Sequence, residues 1–78
     1  MYKIVRQVDH PESTVGYIML ELENRRAAIA KAKDAQKRTD RGWATAVYDG
    51  EPQDDKSNCI GVAYFGPRFG VRWEWVNP

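Results

Sequence analysis

The sequence predicts an α+β fold: a single antiparallel sheet of about five strands, in the order β-β-α-β-β-β, with one helix packed on one face. Three observations predict it. Runs of β-branched and aromatic residues lie on both sides of a single segment rich in Ala, Lys and Arg. Gly, Pro, Asn and Asp separate those runs. The chain has 78 residues, which leaves room for one domain over residues 1–78 and one small core.

The first strand is Tyr2 to Val8 (YKIVRQV), ended by the turn around His10 and Pro11 in "DHPEST". Val15 to Leu22 (VGYIMLEL) alternates with a period of two and is the second strand, pairing with the first as a hairpin. Asn24 is the N-cap of a helix of about 17 residues that runs toward Gly42, a residue suited to the C′ position. Trp43 to Asp49 (WATAVYD) is the third strand, and "GEPQDDKSN" is a long exposed loop. Cys59 to Phe65 (CIGVAYF) and Phe69 to Val76 (FGVRWEWV) close the sheet as a hairpin through a tight "GPR" connection.

At 100° per residue, Ala28, Ile29, Ala32, Ala35, Gln36 and Thr39 share one stripe of the helix. Arg26, Lys33, Lys37 and Arg41 form another on the opposite side. The buried stripe is mostly alanine, so it brings the helix close to the sheet but removes little apolar area from water. The strands must therefore provide the bulk of the core.

A lone helix shields one face of such a sheet and leaves the other to solvent, a loop or a partner. Strict alternation points Ile18, Leu20, Leu22, Ile60, Val62, Tyr64, Val71, Trp73 and Trp75 at the helix, with Trp73 and Trp75 filling the core. Tyr17, Met19, Trp43, Val47, Phe65 and Arg72 then lie on the opposite face. The opposite phase of any strand would exchange these sets. Tyr17, Met19, Trp43, Phe65 and Arg72 are accordingly the candidate partner-binding residues, since interfaces favour aromatics, Met and Arg.

Apolar residues at 42% and charged residues at 29% exclude intrinsic disorder. The formal net charge of +1 conceals a segregation of bases into residues 25–41 and acids into the following loop. Arg26, Lys33, Lys37 and Arg41 are candidates for contact with nucleic acid or an acidic partner. Asp49, Glu51, Asp54 and Asp55 are candidates for contact with a basic surface; their order does not match a calcium-binding loop.

Signals for catalysis are weak. The chain has one His and one Cys, which is too few for a structural zinc site, and nothing in the sequence brings His10 to Cys59 as a base and nucleophile. No catalytic residue, metal or cofactor is expected. The single cysteine cannot form an internal disulfide, and no run approaches the roughly 20 apolar residues of a membrane span. A cytoplasmic setting without membrane contact is expected.

The size, the single cysteine, the opening strand "YKIVRQV", the helix "AAIAKAKDAQKR" and the closing hairpin with "GVRWEW" together resemble the layout of small bacteriophage accessory proteins, including anti-CRISPR inhibitors. That resemblance implies a non-catalytic protein that binds and inhibits or modulates a host protein in the bacterial cytoplasm, and it assigns no functional residue. The residues themselves leave a second class open, a small nucleic-acid-binding protein using helix 25–41. Self-association into a homodimer through a bare sheet face or an edge strand is compatible with both.

Overall fold

The structure, a computed structural model, describes residues 1–8 and 16–78. The turn expected at His10 and Pro11, and Val15 at the expected start of the second strand, lie outside the described residues. Among the described residues five strands and one α-helix follow in the expected order: β1 (Tyr2–Val8), β2 (Gly16–Leu22), α1 (Arg25–Gln36), β3 (Trp43–Asp49), β4 (Cys59–Phe65) and β5 (Val71–Trp75), with a short 3-10 turn at Pro67–Phe69 between the last two. The strands form one open antiparallel sheet in the order β2-β1-β3-β4-β5. β3 is therefore the central strand, flanked by β1 and β4, while β2 and β5 are the edges.

Helix α1 starts as expected, with the Asn24 side chain accepting a hydrogen bond from the Ala27 N–H at 2.9 Å. It spans 12 residues and stops at Gln36, short of the expected end near Arg41. The residues after Gln36 (KRTDR) carry no apolar side chain to extend the buried stripe. The fully buried Gln36 amide is engaged instead by β3: it donates to the Trp43 carbonyl at 2.9 Å and accepts from the Thr45 hydroxyl at 2.8 Å. Gly42 takes a left-handed φ of 87° in the turn that enters β3.

The core lies where α1 crosses the sheet. Ala28 and Ala32 press on Ile4, Val47 and Ile60, with Tyr2, Leu20, Leu22, Ile29 and Trp73 packed around them. Each of the large aliphatic side chains in that cluster contributes roughly 1.5–3 kcal/mol by leaving water. The small helix side chains thus serve close approach, and the sheet provides the bulk.

Two β-bulges correct the strict alternation. Ile4 pairs with Leu20 but Val5 with Ile18, so Met19 is an additional residue in β2. Val47 pairs with Gly61 but Tyr48 with Cys59, so Ile60 is an additional residue in β4. Past the first bulge the faces of β2 exchange. Ile18 turns away from the helix beside Val5, and Tyr17 comes to the helix side, paired with Arg6 and 6.3 Å in T-shaped contact with Trp43. The second bulge lets both Ile60 and Gly61 face α1 while Cys59 and Val62 join the other side.

A second, smaller cluster of Val5, Ala46, Tyr48, Cys59 and Val62 occupies the face away from the helix. The 50–58 loop covers part of it: Pro52, Gln53, Asp54 and Lys56 line a partly open pocket of about 120 Å³ with Val5, Ile18 and Tyr48. Asn58 organises this loop, donating to the carbonyls of Asp49 and Glu51 at 2.9 and 2.6 Å and accepting from the Gln53 N–H at 3.1 Å. Lys3 adds an ionic clamp, bonding Glu21 on β2 and Glu51 in the loop.

Candidate functional site: the groove between α1 and β5

The side chains of β4 and β5 explain how a groove arises. Gly61 of β4 has no Cβ, and the Trp73 indole lies over it; an added Cβ would stand 2.8 Å from the indole Cε2 and closer still to Cζ2. Trp73 therefore sits low, packed against the helix cluster, with its ring nitrogen buried and without a hydrogen-bond partner among the described residues. Trp75, two residues on, meets Trp73 edge-on at 5.4 Å but reaches past the end of the core and is 51% exposed. Trp75 thus corrects the expectation that both tryptophans are core.

Over these two rings α1 brings two cations, Arg25 from its first turn and Lys33 from its last. Lys33 Nζ stands 5.6 Å from the Trp73 centroid, and the Arg25 guanidinium 5.9 Å from that of Trp75. Arg25 also donates to the Pro78 carbonyl at 3.2 Å. With Arg26, Ile29 and Ala30 they line an open groove of about 530 Å³ whose floor is Trp75. No acid belongs to that lining. Its chemistry is an apolar, aromatic floor beneath a basic rim, suited to carboxylates or phosphates carried on an apolar or planar body.

The expected basic stripe is divided by the structure. Arg26 and Lys33 line the groove, whereas Lys37 caps the helix end and Arg41 lies beyond it, its guanidinium 3.9 Å from the Phe69 centroid. Arg25 was not among the expected contact residues. The signal that finds it is the spacing Arg25, Ile29, Lys33, which places three residues on one side of a helix.

The expected partner-binding set does not form one patch. Tyr17 and Trp43 lie together on the helix side, and Val47 is in the main core rather than on the opposite face. Phe65 is also on the helix side, in T-shaped contact with Phe69 at 6.2 Å. Val62, expected under the helix, packs in the second cluster, and Tyr64 pairs with Arg72 on that same side. Met19 occupies the bulge at the β2 edge. Arg72 alone stands on the second face as expected, with its stem against Gly66.

The acids of the loop act within the fold. Glu51 binds Lys3, Asp54 lines the small pocket, and Asp55 accepts the Ser57 N–H at 2.9 Å, which holds its carboxyl below the usual carboxylate range. Asp49 is exposed at the end of β3. Among the described residues no group of three or more His, Cys, Asp or Glu is arranged to hold a metal ion. Cys59 is fully buried and its thiol is pushed up by desolvation, the reverse of what an activated nucleophile needs. His10 lies outside the described residues. No described helix is long and apolar enough to cross a membrane. No protein-family model, curated protein or solved structure matches this chain.

Proposed function

We propose that this protein is a non-catalytic binding module that seats an acidic, partly apolar surface of another protein in the groove between α1 and β5. The observation that carries the reading is the convergence of Arg25, Arg26 and Lys33 above the half-exposed Trp75, with no acid in the lining. Arg and Trp are the residues on which binding energy most often concentrates, and a basic rim selects for partner carboxylates. The layout shared with small phage-encoded accessory proteins supports a host protein as the partner, and inhibition or modulation in the bacterial cytoplasm as the outcome.

A second reading, single-stranded nucleic acid in the same groove, is favoured by one observation: the exposed Trp75 ring beside Arg25 offers a surface for base stacking with a cation within reach of phosphate. Capture from bacterial lysate separates the two. Wild-type protein and the Arg26→Glu, Lys33→Glu double variant are compared with and without nuclease, at low and moderate salt. The protein reading expects a stoichiometric protein that survives nuclease and is lost with the double variant. Recovery of nucleic acid alone, falling steeply with salt, establishes the second reading. Equal capture by the folded double variant removes the groove from both.

A further inference from the structure

The free edge of β5 is self-complementary, and we infer that two copies of this chain pair antiparallel along it, with the two-fold axis at Trp73. The hydrogen-bonding phase of the strand determines which of its backbone groups face outward. The Gly66 N–H donates to the Gly70 carbonyl at 2.8 Å, and the Val76 N–H to the Ile60 carbonyl at 2.9 Å. In an antiparallel ladder the inward-facing backbone groups recur at every second residue, so Gly70, Arg72, Glu74 and Val76 bond to β4. The N–H and C=O groups of Val71, Trp73 and Trp75 therefore point outward along the open edge. β5 itself has no register shift against β4 to blunt it, in contrast to the bulged edge strand β2.

Symmetric pairing about Trp73 sets Trp73 opposite its own copy and Val71 opposite Trp75. These are the residues whose backbone groups are free, so they form the hydrogen-bonded pairs. Arg72 then stands opposite Glu74 of the second copy in the non-hydrogen-bonded positions, where Cα atoms approach to about 4.5 Å and side chains lie closest. The two-fold repeats the contact, giving an Arg72–Glu74 pair on each side of the axis. Both side chains are exposed on the face away from the helix, and no ion pair of either forms among the described residues. Slipping the symmetric register by one step either way sets Arg72 against Arg72 or Glu74 against Glu74, and like charges directly opposite are destabilising. The sequence Arg-Trp-Glu thus selects one register.

The half-exposed Trp75 gains Val71 of the second copy as an apolar neighbour on the helix side. Two terms oppose pairing. The Arg72 stem leans on Gly66 and must change rotamer, which an exposed side chain does within nanoseconds. The helix cations of the two copies also approach, a repulsion screened over about 8 Å at physiological ionic strength. The sheet that results runs continuously through both copies, with both helices on one face and the two basic grooves opening toward each other. The inference is independent of what those grooves bind.

Sedimentation velocity on the purified chain over a range of concentrations tests this, with circular dichroism confirming that each variant is folded. The wild type is expected to pass from monomer to dimer. Arg72→Glu and Glu74→Arg, which each replace both attractive pairs with repulsive ones, are expected to raise the dissociation constant about tenfold. The Arg72→Glu, Glu74→Arg double variant is expected to restore it. A wild type that stays monomeric at every concentration overturns the inference, as does a dimer indifferent to the single charge reversals. Single reversals that weaken a dimer which the double variant fails to rescue overturn the register.

Discussion

Arg41 and Phe69 meet face-on, the guanidinium 3.9 Å from the ring centroid, and the contact joins the turn after α1 to the turn between β4 and β5. Phe69 in turn stands edge-on to Phe65 at 6.2 Å. The two turns have no backbone hydrogen bond to each other, and this stack links them through side chains. Arg41→Ala is expected to lower stability by about 0.5–1 kcal/mol. Urea denaturation followed by tryptophan fluorescence measures it; an unchanged midpoint would show that the turn is held without the stack.

Gln36 and Thr45 form the buried polar contact between helix and sheet, with both side chains at 0% exposure. Replacing Gln36 by Leu leaves the Thr45 hydroxyl and the Trp43 carbonyl without this partner. The expected cost is about 1–3 kcal/mol, the desolvation penalty of an unmatched group. Adding Thr45→Val removes one of the orphans and should recover part of the loss. A double variant no more stable than Gln36→Leu alone would place the cost in packing rather than hydrogen bonding.

How much of this was legible in the sequence depends on what each residue's role requires. The Asn24 cap and the alanine stripe of α1 are local, so they could be read directly, as could the class of fold and the order of its elements. The inward and outward sets of β2 and β4 could not be, because Met19 and Ile60 are bulge residues and a period of two assumes an unbroken register. One inserted residue carried Tyr17 and Ile18 to the faces opposite those expected. The site was half legible: Arg26, Lys33 and the aromatic hairpin stand out in the sequence, but their convergence depends on Trp73 sinking over Gly61, a contact between two strands. Asn58 was invisible for a similar reason, since its role is fixed by carbonyls elsewhere in the loop.

Gly61 tests that convergence. A Cβ there would collide with the Trp73 indole and stand 2.8 Å from the Glu74 carbonyl oxygen, so Gly61→Ala must lift the ring or part the strands. The expected destabilisation is about 1–3 kcal/mol, with a red-shifted tryptophan emission as Trp73 gains solvent. An unshifted spectrum and unchanged stability would mean that Trp73 does not depend on the glycine.

Cys59 offers a probe of the second cluster. Its side chain is fully buried beside Tyr48, and desolvation holds the thiol protonated at neutral pH. Alkylation by iodoacetamide should be slow in the native protein and fast in denaturant, because the thiolate is the reactive species. Native labelling as fast as that of the unfolded chain would show that this cluster opens readily.

Tyr48 gives the fold a limit in alkali. It is 4% exposed, its hydroxyl lies 3.4 Å from Gln7 Oε1, and burial, followed by the nearby Cys59, pushes its phenol up to about 12. In the unfolded chain the same group ionises near its ordinary value of about 10. Below pH ~10 both states hold the proton, and the buried phenol contributes in full. Between about 10 and 12 the unfolded state releases its proton and the folded state does not, so stability falls with rising pH. The loss from Tyr48 is at most about 2 kcal/mol after discounting for partial solvent access of the hydroxyl. Lys3 acts in an overlapping range: hydrogen bonds to Glu21 and Glu51 raise its pKa, so its contribution is also lost as pH climbs above its unfolded value. Comparison of variants separates the two. Tyr48→Phe should flatten the alkaline decline in denaturation midpoint and remove the latest phase of tyrosinate absorbance, while Lys3→Met should flatten the decline and leave that absorbance phase in place. A Tyr48→Phe protein that loses stability as steeply as wild type would assign the alkaline limit to Lys3 and its carboxylates.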